Sequence, residues 1–190
     1  MKNQAMVMTD VRKFELQDVP MPKVGADEVG IAVKRIGICG SDMGFFDGKA
    51  FSIFPDSLPF ILGHEGAGVV YEVGENVKNL KVGDRVAMEP GVPCGKCEFC
   101  ESGRYNLCPD VVFMATPPVN GCMRRYISHP AHKTYKLPDN MSFTEGAPTY
   151  RRVFSRVFRS RMRQWHRRSR RSAAADAFWS EPRARSRSSA

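Results

Sequence analysis

The sequence predicts a mainly β, barrel-like domain over residues 1–147, followed at 148–190 by an arginine- and serine-rich tail with no core. Three observations carry this prediction. Short apolar runs of strand length recur between glycine and proline breaks throughout the first part. Four cysteines crowd into fifteen residues at close, regular intervals. The charge also changes character near position 147. Residues 1–150 hold 16 Lys and Arg against 18 Asp and Glu, whereas residues 151–190 hold 13 Arg, no Lys and only two acids, Asp176 and Glu181. The net charge of +9 is therefore the sum of a slightly acidic part and a strongly basic one.

In chain order, AMVMT (5–9) and KFELQDV (13–19) are short strand candidates, with a proline-rich turn at MPKVG. Val29, Ile31 and Val33 alternate before a second short run at Ile36 and Ile38, the pattern of half-buried strands. GAGVVYEVG and GDRVAME are two more strands fenced by glycine, and YISHPAHKTYKLPDN reads as another with polar breaks and an exit turn. About 145 residues suffice for a real core. The tail is expected to be disordered: Val153, Phe154, Val157 and Phe158 mark one face of a short helix, but the run soon dissolves into Arg and Ser.

No segment approaches the ~18–20 apolar residues of a membrane span, and MKNQAMVMTDVRKFEL lacks a signal-peptide core. The cysteine spacing argues against a secreted disulfide framework, so a reduced, cytoplasmic setting is expected. Cys94, Cys97, Cys100 and Cys108 stand at C-x2-C-x2-C-x7-C. Four thiolates on one tight loop suit a closed tetrahedral zinc site of structural role. An iron–sulfur cluster is the chemical rival, because it also uses four cysteines at short gaps. A second constellation lies in GICGSDMGFFDG and GHEGAGVVYEVG, where Cys39, His64 and Glu65 offer thiolate, imidazole and carboxylate. Such a mixed set leaves a fourth position open, as a catalytic zinc requires.

GICGSD, LGHEGAGVVYEVGENVKNLKVGDRV, the four-cysteine loop and GRYNLCPDVVFMATPPVNG resemble the zinc-dependent medium-chain dehydrogenases, and among them the sorbitol (L-iditol) and related polyol dehydrogenases. The resemblance runs from about residue 5 to Ala147, and the signature GHE-x2-G-x5-G-x2-V is intact from Gly63 to Val77. It implies a GroES-like β-barrel domain, zinc in the cysteine loop, and Cys39, His64 and Glu65 at a catalytic zinc. In such enzymes the metal lowers the pKa of a substrate hydroxyl, and the alkoxide gives hydride to the nicotinamide of NAD(P). By the same resemblance Ser41 passes the alcohol proton outward and Asp42 orients His64. Phe45, Phe113 and Thr116 fall where polyol relatives line the substrate pocket.

Three departures stand beside this likeness. Gly44 occupies a place where many relatives carry His. EGAPTYRR, with Tyr150, replaces a stretch that supplies relatives with a further acidic residue near the zinc. No strand–GxGxxG–helix unit follows position 147, so the Rossmann domain is absent from these residues.

The expected function is that of a catalytic domain of an NAD-dependent polyol dehydrogenase (sorbitol, L-iditol or xylitol type) oxidising a secondary alcohol to a ketone, inactive on its own. The alternative is a zinc-stabilised β-module whose arginine arm, with Phe154, Phe158, Trp165 and Trp179, binds nucleic acid. A small polyol or alcohol is the expected partner; neither a membrane nor, on the first reading, nucleic acid is. Read one nucleotide later, RRVFSRVF can encode D-A-F-S-V-G-F, similar to the start of the family's cofactor domain. The tail is thus expected to be an out-of-frame translation, which also accounts for 13 Arg without Lys. The nucleotide sequence after codon 147 should continue, in a shifted frame, into a glycine-rich cofactor domain; no such frame would end this reading.

Overall fold

The structure is a computed structural model that describes residues 2–52, 54 and 56–148. The expectations for the tail and for Tyr150 lie outside the described residues. Among the described residues ten strands form three sheets: β1 (Asn3–Asp10), β2 (Lys13–Val19), β3 (Glu28–Gly37), β4 (Phe60–Ile61), β5 (Glu65–Val73), β6 (Arg85–Met88), β7 (Gly91–Val92), β8 (Val112–Phe113), β9 (Tyr126–Pro130) and β10 (Thr134–Lys136). Three short helices, α1 (Gly40–Phe46), α2 (Glu98–Glu101) and α3 (Phe143–Gly146), interrupt them. The sheets run β2-β1-β4, β10-β6-β5-β3-β9 and β7-β8, and every pairing is antiparallel. No helix among the described residues is long and apolar enough to cross a membrane.

The five-stranded sheet holds the main core. Val29, Ile31, Val70, Val86, Met88 and Ile127 are buried on its inner face with Leu80, Met114 and Cys122. Each such aliphatic side chain contributes roughly 1.5–3 kcal/mol by leaving water. β3 joins the two apolar runs read separately in the sequence. Its register against β5 shifts between Val33 and Arg35, so one extra residue enters the strand and the alternation changes phase. Val33 and Ile36, three apart, therefore pack against the same core. A second cluster forms around Met8, Phe45, Phe60 and Leu62.

YISHPAHKTYK forms two strands rather than one, joined by a 3-10 turn at Ala131–Lys133. They lie at opposite edges of the five-stranded sheet. Four chain steps from Pro130 to Thr134 reach at most ~14 Å, while the edges of five flat strands stand ~19 Å apart. The sheet must therefore curl strongly. No ladder joins β9 to β10 among the described residues, so the expected barrel is a curled, open sheet.

Buried polar groups fasten this turn. Lys133 Nζ lies 3.3 Å from Glu89 Oε2 and 4.0 Å from the Tyr105 ring centroid, and the Tyr135 hydroxyl donates to the same carboxylate at 2.9 Å. A buried ion pair needs partners beyond the pair itself, and the Tyr135 hydroxyl and the Tyr105 ring supply two. His129, 3% exposed, sits 3.0 Å through Nε2 from the Glu89 carbonyl, which a neutral ring can satisfy by donating. Burial pushes its pKa from 6.5 down to about 4.

Because the folded state keeps His129 neutral, its contribution is complete above pH 6.5 and is lost as pH falls toward 4. The loss across that window is about 3 kcal/mol. Denaturant unfolding of wild type and His129→Gln, which keeps a donor and does not titrate, should diverge in acid slope between these limits. Parallel slopes would show that His129 does not carry the effect.

Candidate metal centres

β3 ends at Gly37, and after Ile38 the chain turns into α1 with Cys39 as its N-cap. Asp42, 3% exposed in the first turn of α1, makes three contacts. Its Oδ2 accepts from Cys39 N–H at 2.8 Å, its Oδ1 accepts from Gly63 N–H at 3.1 Å, and Oδ1 stands 3.5 Å from His64 Nδ1. One carboxylate thus ties the entry of α1 to the turn that presents His64. The turn needs glycine: Gly63 has φ +89°, and a Cβ there would stand 2.9 Å from Met123 Cγ. Gly37 pairs with Glu65 across β3 and β5, and a side chain on it would occupy the place of the Glu65 carboxylate.

The result is a cluster in which Cys39 Sγ, a His64 ring nitrogen and a Glu65 carboxylate oxygen all lie within 4.8 Å of one another. Burial opposes charge on His64 and Asp42, yet each holds the other's charged form, raising the histidine pKa and lowering the carboxylate's. Burial also opposes a Cys39 thiolate, but the Ser41 hydroxyl and backbone and the His64 ring outweigh it and hold the thiol below its ordinary value. With Nδ1 facing Asp42, the His64 lone pair is left on Nε2. Thiolate, imidazole and carboxylate together fit borderline-soft zinc and exclude hard cations such as magnesium.

Phe113 on β8 stands beside this cluster, its ring centroid 5.8 Å from that of His64. Thr116 is half-buried in the turn that follows, its N–H bonded to the Phe113 carbonyl at 3.1 Å. Phe45 lies in the second apolar cluster, stacked on Phe54 at 5.9 Å and against Phe60 at 5.8 Å. Gly44 is not imposed by packing, since a Cβ there would meet no atom within 4 Å.

The four cysteines form a separate lobe closed by the β7–β8 ladder. Their sulfurs lie within 4.8 Å of one another, with Cys97–Cys100 at 3.4 Å and Cys94–Cys100 at 4.0 Å. Zn–S bonds of ≈ 2.3 Å in a tetrahedron place sulfurs about 3.8 Å apart, between these two values. A cluster of several irons would hold its thiolates farther apart, and a disulfide far closer. Proximity splits the acidities: the Lys96 backbone N–H leads in lowering Cys94 to about 7, while burial leads in raising Cys100 to about 12. Four thiols so close do not all ionise unaided; a divalent cation allows it.

Gly37, Gly63 and the Glu89–Lys133–Tyr105 clamp on the lobe were not picked out from sequence. The two glycines were visible in the glycine-rich turns, whereas the clamp has no local signature. Chain purified with zinc should retain about one ion per cluster. Cys100→Ser should abolish retention in the lobe and His64→Ala in the mixed cluster, each leaving the other intact by elemental analysis. Joint loss in both variants would refute independent sites.

Residues 25–139 match the alcohol dehydrogenase GroES-like domain. Over 144 residues the chain is 47% identical to the sorbitol dehydrogenase of Bacillus subtilis, covering 76% of this chain and 41% of that protein. It is 44% identical to the sorbitol dehydrogenase of Arabidopsis thaliana (77% and 40%). Among solved structures, an Escherichia coli oxidoreductase/dehydrogenase of unknown specificity superposes with TM-score 0.73 at 46% identity, covering 78% of this chain and 43% of that one. A zinc-binding dehydrogenase from Sinorhizobium meliloti bound to NADP gives 0.68 at 29% (78% and 42%). The chain thus spans about two-fifths of the length of these relatives. By the match over residues 25–139, which is more than half its length, the chain belongs to the family of the alcohol dehydrogenase GroES-like domain.

Proposed function

We propose that residues 1–147 are the zinc-holding catalytic domain of a polyol dehydrogenase that oxidises a secondary alcohol to a ketone with a nicotinamide cofactor. The observation that carries this reading is the convergence of Cys39, His64 and Glu65, with Asp42 behind the histidine. In this assignment Cys39, His64 and Glu65 hold the catalytic zinc, and Cys94, Cys97, Cys100 and Cys108 hold a structural one. Zinc in the mixed cluster supplies a Lewis acid that makes an alcohol hydroxyl acidic near neutral pH. Asp42 keeps the Nδ1 proton of His64 in place and so fixes the donor nitrogen. Ser41, exposed at the start of α1, takes the alcohol proton at Oγ toward solvent. Phe113, beside His64, gives the pocket an apolar wall.

The names of the relatives support the substrate class: sorbitol dehydrogenase, D-xylulose reductase A and L-idonate 5-dehydrogenase point to open-chain, hydroxyl-rich compounds. Solved relatives in complex with NADP and with NADH support the nicotinamide cofactor. The sequence has no glycine after Gly146, and a dinucleotide phosphate cradle needs several. The cofactor therefore finds no such cradle in these residues, and the chain as it stands should not turn over polyol.

A chimera tests this reading. Residues 1–147 replace their counterpart in the Bacillus subtilis sorbitol dehydrogenase, and NAD reduction is followed with sorbitol and xylitol. The chimera should be active, Ser41→Ala should lower its kcat ~10²-fold or more, and the 190-residue chain assayed in parallel should be inert. A folded, zinc-loaded chimera without activity would overturn the assignment, and turnover by the chain alone would overturn its inactivity.

A further inference from the structure

Two pairs of cations, Lys34–Arg35 and Arg124–Arg125, are remote in sequence and adjacent in the fold. Val33 N–H donates to the Arg125 carbonyl at 2.9 Å, Arg125 N–H donates to the Gln4 carbonyl at 2.9 Å, and Ala5 bridges to Arg124. These four residues all line one solvent-open groove of about 370 Å³, with Met6 and Leu16 in its apolar wall, and Arg35 Nη1 donates to the Lys34 carbonyl at 2.8 Å. None of the four has a carboxylate within ion-pair distance among the described residues. Neither metal cluster contributes a residue.

Arg124 is set deepest. Its Nε–H is covered from solvent and has no hydrogen-bond partner. Burial pushes its guanidinium pKa down. A guanidinium N–H shut off from water without an acceptor is costly. The surrounding sequence, residues 1–150, carries two more acids than bases, so composition does not force this crowding. A guanidinium presents a planar fork matched to carboxylate and phosphate. Leu16 and Met6 are 63% and 41% exposed, an apolar surface that an aliphatic group can cover.

The geometry points to a second ligand site: the cavity binds a small organic oxyanion, its phosphate or carboxylate held by Arg124 among Lys34, Arg35 and Arg125, and its short aliphatic body against Met6 and Leu16. The head group pairs the guanidinium and gives the covered Arg124 Nε–H an acceptor, while the body covers the exposed apolar wall. An alcohol of the same body lacks the first contribution, and inorganic phosphate lacks the second.

The zinc-loaded full chain is titrated calorimetrically with octanoate, octyl phosphate and octanol at low and high salt. Both anions should bind, weaken with salt and exceed octanol by ~10-fold or more. The tighter anion identifies the head group. Arg124→Gln should weaken both anions ~10-fold or more, and Arg124→Lys should fall between, keeping the charge and losing the fork. The 13 arginines of residues 151–190 are unchanged in these variants, so the loss assigns binding to the cavity. Arg124→Gln should keep its zinc and should not lower Tm, because it removes an Nε–H that has no acceptor; Lys34→Gln, an exposed change, should weaken the anions in the same direction. Octanol binding as well as octanoate, no anion binding, unchanged binding in Arg124→Gln and Lys34→Gln, or a lowered Tm in Arg124→Gln would each overturn the proposal.

Discussion

The buried carboxylate of Asp42 is the contact on which the mixed cluster depends. It accepts from Cys39 N–H and from Gly63 N–H and stands against His64 Nδ1. Cys39 and His64 are thereby referred to one fixed point, although they sit on different elements twenty-five positions apart. Without that point the entry of α1 and the turn before β5 would be free to separate, and the thiol and imidazole would lose their common focus. The same carboxylate sets which histidine nitrogen is a donor and which is a lone pair. Position and chemistry thus come from one group, which is why its two backbone contacts matter as much as its contact with the ring.

The two metal clusters are assembled by opposite means. The mixed cluster is non-local: Glu65 faces Gly37 through the long β3–β5 ladder, and the shift in β3 register keeps Val33 and Ile36 on the core while the strand continues to the site. The cysteine lobe is local, made of turns, a single helical turn at α2 and a two-residue ladder. It buries little apolar surface, and of its four cysteines only Cys108 is buried. Its order therefore rests on the clamp from Tyr105 to Lys133 and Glu89 and, in the proposed assignment, on the zinc that the four thiols would hold. Chelation should loosen this lobe while the sheet core, built from Val29, Ile31, Val70 and Val86, persists.

The longer strands were legible as apolar runs between glycine and proline breaks, and β9 keeps an alternation of buried and half-buried residues, whereas the two-residue strands β4, β7 and β8 leave no pattern to read. The long run from Tyr126 to Lys136 was not resolved into two strands, since a 3-10 turn of Ala, His and Lys has no glycine or asparagine to mark it. Helix α1 was also missed: GSDMGFF is short and glycine-containing, and its start depends on the Asp42–Cys39 contact rather than on propensity. Cys39, His64 and Glu65 were legible only as a set, because each residue alone has an ordinary structural explanation. The four cysteines were legible from spacing, and their sulfur separations then distinguish one ion from a multi-iron cluster. Phe45 shows the limit of placement by likeness, since an aromatic beside a site is held equally well by Phe54 and Phe60.

Net charge conceals two kinds of basicity in this chain. The arginines after residue 150 are adjacent in sequence, so composition alone reveals them, and nothing in that pattern selects one ligand over another. The cations at 34–35 and 124–125 are invisible to composition, because the acids of residues 1–150 outnumber the bases there. Strand pairing alone brings them together. A potential produced by folding is tied to a particular groove and its apolar wall, and so in the proposed site shape would count beside charge. A potential produced by sequence is spread along a chain and discriminates mainly by charge and ionic strength. For a protein whose net charge is +9, the informative cations are the four that the sum hides.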